Sequence, residues 1–182
     1  MKLTGIILAG GKSSRMGQDK GLMLLEGKPM IQHVIDAVQP LVDDVIIISN
    51  QEEYATFGFP VYEDIIKEQG PLAGICTGLK FSKTPKNLIV SCDVPYVNRE
   101  LLNLLIDNAA DAAVVIPQKG EKTHQIIGVY DQSCLEVFMK ELTNGKRKIK
   151  LAIEQMNYKI VDANQINEKV FNNINSKDDI TT

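Results

Sequence analysis

Glycine, hydroxyl and cationic residues follow an apolar segment near the start of the chain. Residues 8–20 read LAGGKSSRMGQDK, so Gly10 and Gly11 come first and Arg15 and Lys20 follow. Because glycine has no Cβ, its backbone N–H group can approach a phosphate oxygen closely. The guanidinium and the ammonium can then neutralise phosphate charge. We therefore predict a cradle for nucleotide phosphates at the carboxyl end of a buried strand.

Two common phosphate-binding motifs do not fit this run. A P-loop has the pattern G-x-x-x-x-G-K-[ST]; residues 11–13 supply its G-K-S end, but Ile6 occupies the position of its first glycine. A Rossmann fingerprint has the pattern G-x-G-x-x-G, which Gly10, Gly11 and Gly17 do not supply. The pattern that remains is L-A-G-G-x-x-x-R-M-G-x-D-K.

A carboxylate ends a second apolar run. Residues 88–95 read LIVSCDVP, so Asp93 follows a buried strand. Ligands of open α/β sheets bind outside the carboxyl ends of the strands, which predicts that Asp93 lies beside the glycine loop. A lone carboxylate suits Mg²⁺, which takes one or two protein carboxylates together with phosphates and water. The alternative, that Asp93 caps the next helix, is weaker because Asn98 can cap it, with Glu100 nearby.

These segments resemble the nucleotidyltransferases of the nucleotide-sugar type and, among them, the molybdenum cofactor guanylyltransferases, the branch that the Asp19-Lys20 step favours. The resemblance spans nearly the whole chain and is most specific over Leu8–Lys20, Gly70–Gly74, Cys92–Pro95 and Asn173–Asn175. It implies that the catalytic residues are Arg15, Lys20 and Asp93. Asp93 would be the metal ligand, and the two cations would hold the β- and γ-phosphates that leave as pyrophosphate.

The resemblance also implies which residues bind the nucleotide. These are Leu8, Ala9, Gly10, Gly11, Lys20, Asp64, Gly70, Pro71 and Asp93. The carboxylate of Asp64 could accept hydrogen bonds from guanine or contact the ribose, and the competing interpretation is a solvated loop acid. Asn50 is a further candidate for a polar contact.

For a second, anionic substrate the resemblance implies Arg147, Asn173 and Asn175. Gly145–Lys148 matches a basic segment that opens a late helix, and helix N-termini favour anions. A solvated basic turn is an equally good interpretation of that run. The segment that contains the two asparagines is expected to return to the rim of the site.

The implied reaction is Mg²⁺-dependent transfer of GMP from GTP to the phosphate of molybdenum-molybdopterin, with release of pyrophosphate and formation of the guanine dinucleotide cofactor. The implied partners are GTP and molybdopterin, with molybdoenzyme apoproteins or other cofactor-biosynthesis proteins as further candidates. Two alternatives stay open. One is a related cytidylyltransferase or sugar-phosphate nucleotidyltransferase. The other is a non-catalytic GTP-binding adaptor that delivers the cofactor.

Runs rich in Ile and Val alternate with amphipathic segments, which is typical of an α/β protein. We predict one domain over residues 1–182. Its expected architecture is a three-layer α/β/α sandwich with a Rossmann-like, mostly parallel mixed sheet of the nucleotide-diphospho-sugar transferase type. The predicted strands are Leu3–Ala9, Asp44–Ser49, Val61-Tyr62, Asn87–Ser91, Ala112–Ile116, Gln125–Tyr130, Tyr158–Val161 and Val170–Ile174. The predicted helices cover residues 29–38, Asn98–Asn108 and Gln132–Leu142, and others open near Gly70 and Gly145.

One connection in this sheet is too short for a crossover helix. The polar residues Gln118–Thr123 lie between the predicted strands Ala112–Ile116 and Gln125–Tyr130, and so short a connection predicts that the two strands pair antiparallel.

Composition excludes several classes of protein. The chain has 182 residues, 44% of them hydrophobic and 24% charged, and a formal net charge of −3. That charge argues against a broad nucleic-acid surface. Three cysteines without CxxC spacing argue against a disulfide framework or a zinc site. The opening apolar run is too short for a membrane span. We therefore expect a cytoplasmic protein with no nucleic-acid or membrane partner.

Overall fold

A computed structural model describes residues 1–10, 19–176 and 179. Within these ranges the strands are β1 (Leu3–Leu8), β2 (Leu24–Leu25), β3 (Lys28–Pro29), β4 (Asp44–Ile48), β5 (Val61–Tyr62), β6 (Lys86–Ser91), β7 (Val114–Lys119), β8 (Lys122–Thr123), β9 (Ile127–Asp131) and β10 (Tyr158–Asp162). The α-helices are α1 (Met30–Val38), α2 (Pro71–Phe81), α3 (Arg99–Asp107), α4 (Cys134–Thr143) and α5 (Ile149–Ile153). Short 3-10 helices cover Lys20–Leu22, Gln39–Leu41, Glu52–Phe57 and Glu168–Phe171. No helix in these ranges is long and apolar enough to cross a bilayer.

Eight strands form one mixed sheet in the order β10-β7-β9-β6-β1-β4-β5, with β8 paired to β7. Strand β1 is parallel to β4 and β6, β5 is parallel to β4, and β10 is parallel to β7. Strand β9 is antiparallel to its neighbours β6 and β7. The antiparallel pair predicted from the short connection is therefore confirmed. Strands β2 and β3 form a separate hairpin.

Helices cover both faces of the sheet, because its central strands are apolar at consecutive positions. All six residues of β1 are buried. On one face α1 and α3 pack against the sheet through residues such as Val34, Leu101 and Leu105. On the other face α2, α4 and α5 pack through residues such as Leu72 and Phe138. The three-layer α/β/α sandwich is confirmed.

The register of the parallel strands aligns their ends. Leu8 at the end of β1 lies opposite Ile48 of β4 and Ser91 of β6. Ile48 in turn lies opposite Tyr62, the last residue of β5. The segments that follow these four strands therefore start from one edge of the sheet, called here the carboxyl edge.

The strand predicted at Val170–Ile174 is wrong. The chain there forms the 3-10 helix Glu168–Phe171 and then continues without regular structure. The Asn167 side chain accepts a hydrogen bond from the Lys169 N–H at 2.9 Å. Such a local cap competes with extended backbone. The stretch is anchored by its buried apolar side chains and not by pairing with a strand of the sheet.

Other predicted elements are displaced by a few residues. The strands predicted at Ala112–Ile116 and Gln125–Tyr130 are Val114–Lys119 and Ile127–Asp131. Helix α1 begins one residue after Pro29, which belongs to β3 and has extended backbone angles. Boundaries are the part of a helix or strand that local sequence specifies least.

Candidate active site

The glycine loop and Asp93 start from neighbouring strands at the carboxyl edge. The Ala9 N–H donates to the Ile48 carbonyl at 2.9 Å, and the Cys92 N–H donates to the Leu8 carbonyl at 2.9 Å. These bonds continue the pairing of β1 with β4 and with β6 by one residue beyond the strand ends. Asp93 directly follows Cys92. The predicted metal-binding carboxylate therefore lies beside the start of the predicted phosphate cradle.

The first residues of the cradle are part of the sheet. Leu8 and Ala9 are buried, so their backbone rather than their side chains could reach a nucleotide. Gly10 is the last residue described before the gap. Gly11 and Arg15 lie outside the described residues, and their roles stay predictions.

One carboxylate oxygen of Asp93 is engaged and the other is not. Its Oδ2 accepts a hydrogen bond from Nδ2 of Asn173 at 3.3 Å. Its Oδ1 is buried and has no hydrogen-bond partner among the described residues. The Asp93 carbonyl also accepts from the Ile174 N–H at 2.8 Å.

A buried carboxylate oxygen without a partner is costly, which makes it a natural place for a cation. A hard oxygen ligand is what Mg²⁺ prefers, so the Asp93 carboxylate fits that ion. No group of three or more His, Cys, Asp or Glu residues that could hold a metal ion occurs in the described part of the chain. The remaining ligands of a magnesium ion would therefore be substrate phosphates and water.

Lys20 contacts the same stretch of chain as Asp93. Its Nζ donates to Oδ1 of Asn175 at 3.0 Å, across 155 positions of sequence. We call residues 171–176 the return segment, because they lead back to the carboxyl edge. The return segment thus contacts the predicted phosphate-binding cation and the predicted metal ligand at once.

Aromatic side chains hold the return segment in place. The imidazole of His124 packs against the ring of Phe171, with 4.6 Å between their centroids. Burial and the nearby Lys122 lower the pKa of His124, so the ring stays neutral at pH 7. Just before this segment, the ammonium of Lys169 lies 4.0 Å from the centre of the Tyr96 ring.

Asp64 forms a second carboxylate site at the carboxyl edge, on the β4–β5 side. Its Oδ2 accepts from Nδ2 of Asn50 at 3.2 Å, and its backbone N–H donates to Oδ1 of Asn50 at 3.1 Å. Its Oδ1 is buried without a hydrogen-bond partner among the described residues. Burial raises the pKa of Asp64, although the bond from Asn50 acts in the opposite direction.

Glycines surround the Asp64 carboxylate. A Cβ built on Gly10 would lie 3.8 Å from Oδ2 of Asp64, and one built on Gly74 would lie 3.7 Å from Oδ1. Gly70 has a φ of +74°, a conformation that favours glycine, and Pro71 begins α2 directly after it. Gly10, Asp64 and the start of α2 therefore form one wall beside the predicted phosphate cradle.

Arg147 has no side-chain hydrogen bond or ion pair with those predicted site residues that the structure describes. It is exposed in the turn between α4 and α5, and it makes no side-chain hydrogen bond or ion pair to a described residue. Gln132 Nε2 donates to the Leu79 carbonyl at 2.6 Å, so α4 begins where α2 ends. Helix α4 runs antiparallel to α2, and the turn that contains Arg147 lies toward the carboxyl edge.

Tyr54 is a site neighbour that the sequence analysis missed. Its hydroxyl donates to Oδ1 of Asp19, the residue before Lys20. The same oxygen accepts from the Gly21 N–H at 2.9 Å. The stretch EEYATF gives no sign of this contact, because the two partners are 35 positions apart.

Comparison with known proteins identifies the family. The family described as the MobA-like NTP transferase domain matches residues 5–158. The chain belongs to this family. Its fold is therefore that of a MobA-like nucleotidyltransferase.

Individual MobA-like relatives cover most of the chain. A protein of Flavobacterium johnsoniae named "Probable molybdenum cofactor guanylyltransferase" is 35% identical over 98% of this chain and 94% of its own length. A Yersinia pestis protein named "Molybdenum cofactor guanylyltransferase" is 38% identical over 85% of this chain and 82% of its own length. A solved structure of molybdopterin-guanine dinucleotide biosynthesis protein A from Archaeoglobus fulgidus has a TM-score of 0.81 at 23% identity, covering 98% and 95% of the two chains. The structural similarity supports a nucleotidyltransferase fold.

Proposed function

We propose that this MobA-like protein transfers GMP from GTP to the phosphate of molybdenum-bearing molybdopterin. One observation carries the proposal: Asn173 and Asn175 engage Asp93 and Lys20, so an ammonium and a carboxylate lie on one segment at the carboxyl edge. One oxygen of that carboxylate has no hydrogen-bond partner within residues 1–10, 19–176 and 179. The names of the relatives support the choice of substrates.

The reaction needs charge neutralisation more than covalent help from the protein. An oxygen of the molybdopterin phosphate attacks the α-phosphorus of GTP. The bond from that phosphorus to the oxygen that bridges to the β-phosphate breaks, and pyrophosphate leaves with the bonding electrons. Since the attacking phosphate is already anionic near neutral pH, no general base is required.

The chain's own residues supply the positioning. Lys20 would hold the pyrophosphate portion of GTP, with Arg15 predicted to join it. Asp93 would hold Mg²⁺, which when bound screens the negative charge of the triphosphate. Asp64, Gly70 and Pro71 would bind the guanosine end. Asn173, Asn175 and Arg147 are the candidates for the molybdopterin side.

We also propose a cytoplasmic location for this reaction. Cys76, Cys92 and Cys134 are all buried free thiols. Burial, with the neighbouring Cys134 thiol, raises the pKa of Cys76 to about 12, which keeps it an unreactive thiol. Molybdoenzyme apoproteins or other cofactor-biosynthesis proteins would take the product.

The test is pyrophosphate release with molybdopterin as acceptor, with GTP, CTP or UTP as donor, and with or without Mg²⁺. We expect GTP to be preferred over CTP and UTP by at least about a hundredfold, because a site built to hydrogen-bond one base rejects others strongly. Equal use of CTP would favour a cytidylyltransferase. GTP binding without pyrophosphate release would favour a non-catalytic adaptor.

A further inference from the structure

We propose that Tyr54 is a positioning residue that sets the place of Lys20 through Asp19, without contacting substrate itself. The catalytic meaning of this inference rests on the proposed function. The physical link between Tyr54 and the Lys20 turn stands on the contacts alone.

Tyr54 is fully buried in the 3-10 helix Glu52–Phe57, which connects β4 to β5. Its hydroxyl donates to Oδ1 of Asp19, and that oxygen also accepts from the Gly21 N–H. One carboxylate oxygen therefore fastens the first turn of the Lys20–Leu22 helix to the interior of the protein.

The packing around Gly21 leaves the turn little freedom. A Cβ on Gly21 would lie 3.1 Å from Sγ of Cys92 and would collide with the Tyr54 hydroxyl. Cys92 immediately precedes Asp93 in the chain. The Lys20 turn thus lies directly on Tyr54 and on the residue that leads into the predicted metal ligand, which fixes the spacing between Lys20 and Asp93.

The hydroxyl, rather than the ring, makes the specific contact. Burial raises the pKa of Tyr54 strongly, and the hydrogen bond to Asp19 and the charge of that carboxylate act in the same direction. The hydroxyl therefore keeps its proton near neutral pH and donates to Asp19. A phenylalanine would fill the same space but would leave Asp19 with one fewer donor.

Tyr54 also connects two parts of the site. It lies on the segment between Asn50 and Asp64, the hydrogen-bonded amide and carboxylate on the predicted base side. Its bond to Asp19 joins that segment to the cation on the phosphate side. A shift of the segment between Asn50 and Asp64 would therefore move Tyr54 and, through Asp19, change the position of Lys20.

The first experiment compares Tyr54→Phe with Tyr130→Phe in the full-length protein. Tyr130 is a matched control because it is also fully buried and its hydroxyl donates to a single acceptor, the Gln125 carbonyl. We expect Tyr54→Phe to lower kcat at least about tenfold, with KM for GTP changed less than about threefold, because misplacing a group that acts in the transition state costs kcat. Tyr130→Phe should stay within about twofold of wild type. Unchanged kcat in a folded Tyr54→Phe protein would overturn the inference.

A double-mutant cycle separates positioning from general structural damage. If Tyr54 acts through Lys20, Tyr54→Phe should lower kcat in the wild-type background but not further in the Lys20→Ala background. An equal loss in both backgrounds would mean that the hydroxyl supports the fold rather than Lys20.

Backbone amide exchange tests the link without any substrate. We expect the Gly21 amide to exchange at least about tenfold faster in Tyr54→Phe than in wild type, because its acceptor, the Asp19 carboxylate, is no longer held by the Tyr54 hydroxyl. In Tyr130→Phe the exchange rate of Gly21 should be unchanged. Equal exchange rates overturn the positioning role whether or not the protein transfers GMP. A wild-type protein without transferase activity would refute the proposed function alone.

Discussion

Two carboxylates at the carboxyl edge have the same local arrangement and different surroundings. Asp64 and Asp93 each accept a hydrogen bond on Oδ2 from an asparagine amide, at 3.2 and 3.3 Å, and each has a buried Oδ1 without a described partner. The asparagine beside Asp64 is 14 positions away, whereas the one beside Asp93 is 80 positions away.

Asp64 is therefore paired with a residue close to it in sequence, whereas the partner of Asp93 comes from a distant part of the chain. Asn50 and Asp64 follow two adjacent strands, and Gly10 and Gly74 lie next to the Asp64 carboxylate. The Asp93 pair depends on the return segment, which also engages Lys20. The first arrangement suits recognition of a base or ribose, and the second suits the handling of phosphate charge.

The largest expected effect comes from making the same chemical change at both sites. Asp93→Asn should lower kcat by at least about a hundredfold, because it removes the charge that would hold Mg²⁺ at the reacting phosphates. Asp64→Asn should raise KM for GTP by about tenfold, with kcat within about threefold, because uniform binding is lost. Steady-state kinetics of pyrophosphate release measure both values.

The control for this pair is Asp107→Asn, at an exposed position at the end of α3. It should leave both constants unchanged. If Asp64→Asn and Asp93→Asn altered the same constant to the same extent, the division into a base side and a phosphate side would be wrong.

A smaller effect is expected when the two asparagine partners are removed one at a time. Asn173→Ala should lower kcat by about tenfold, because the Asp93 carboxylate loses the donor that orients it. Asn50→Ala should raise KM for GTP by a factor of about three to ten, with little change in kcat, since Asp64 loses both of the hydrogen bonds by which Asn50 orients it. Crossed results, with Asn50→Ala acting on kcat, would contradict the assignment.

The smallest effect concerns stability and pH. Because burial raises the pKa of Asp64 above 3.8, the folded protein binds that proton more tightly than the unfolded chain. The free energy of unfolding of the wild type should therefore fall, relative to Asp64→Asn, as the pH rises from 3.8 through the raised pKa. At pH 7 the variant should therefore have the higher Tm.

Asp131→Asn provides a control of opposite sign. Burial acts to raise the pKa of Asp131, but hydrogen bonds from Ser133 and the ammonium of Lys86, 3.2 Å away, hold it below the ordinary value. That variant should lose stability at pH 7, and the loss should diminish as the pH falls through the lowered pKa. Thermal unfolding across pH 3–7 measures both. A Tm for Asp64→Asn below that of wild type at pH 7 would show that its charge is compensated in the fold.

Local sequence patterns are sufficient to predict the strands of the central sheet and the position of Asp93 at its carboxyl edge. Consecutive apolar residues identify a strand buried on both faces, and a carboxylate directly after such a strand must lie at its carboxyl end. The antiparallel pair is predictable because the connection between the two strands is too short to contain a crossover helix. The family was recognised from the motif of residues 8–20 and the segments that accompany it, and the match over residues 5–158 confirms it.

Contacts between distant parts of the chain were not predictable in this way. Tyr54 looks like any aromatic residue of a short helix until the fold brings Asp19 to it. The pairing of Asn50 with Asp64 was likewise invisible, although both residues were candidates. The strand prediction at Val170–Ile174 failed because buried apolar residues anchor the return segment, and their pattern resembles that of a strand. The Asn167 side chain caps the 3-10 helix that forms there instead of a strand.

The return segment has a consequence for the order of events during synthesis. Proteins emerge from the ribosome N-terminus first, and early parts can begin to fold before late parts exist. Strands β1, β4, β5 and β6 belong to the first half of the chain. The side chains that contact Asp93 and Lys20, however, come 80 positions after Asp93 and 155 positions after Lys20. A nascent chain can therefore complete its central strands before the asparagines that contact Asp93 and Lys20 have been synthesised.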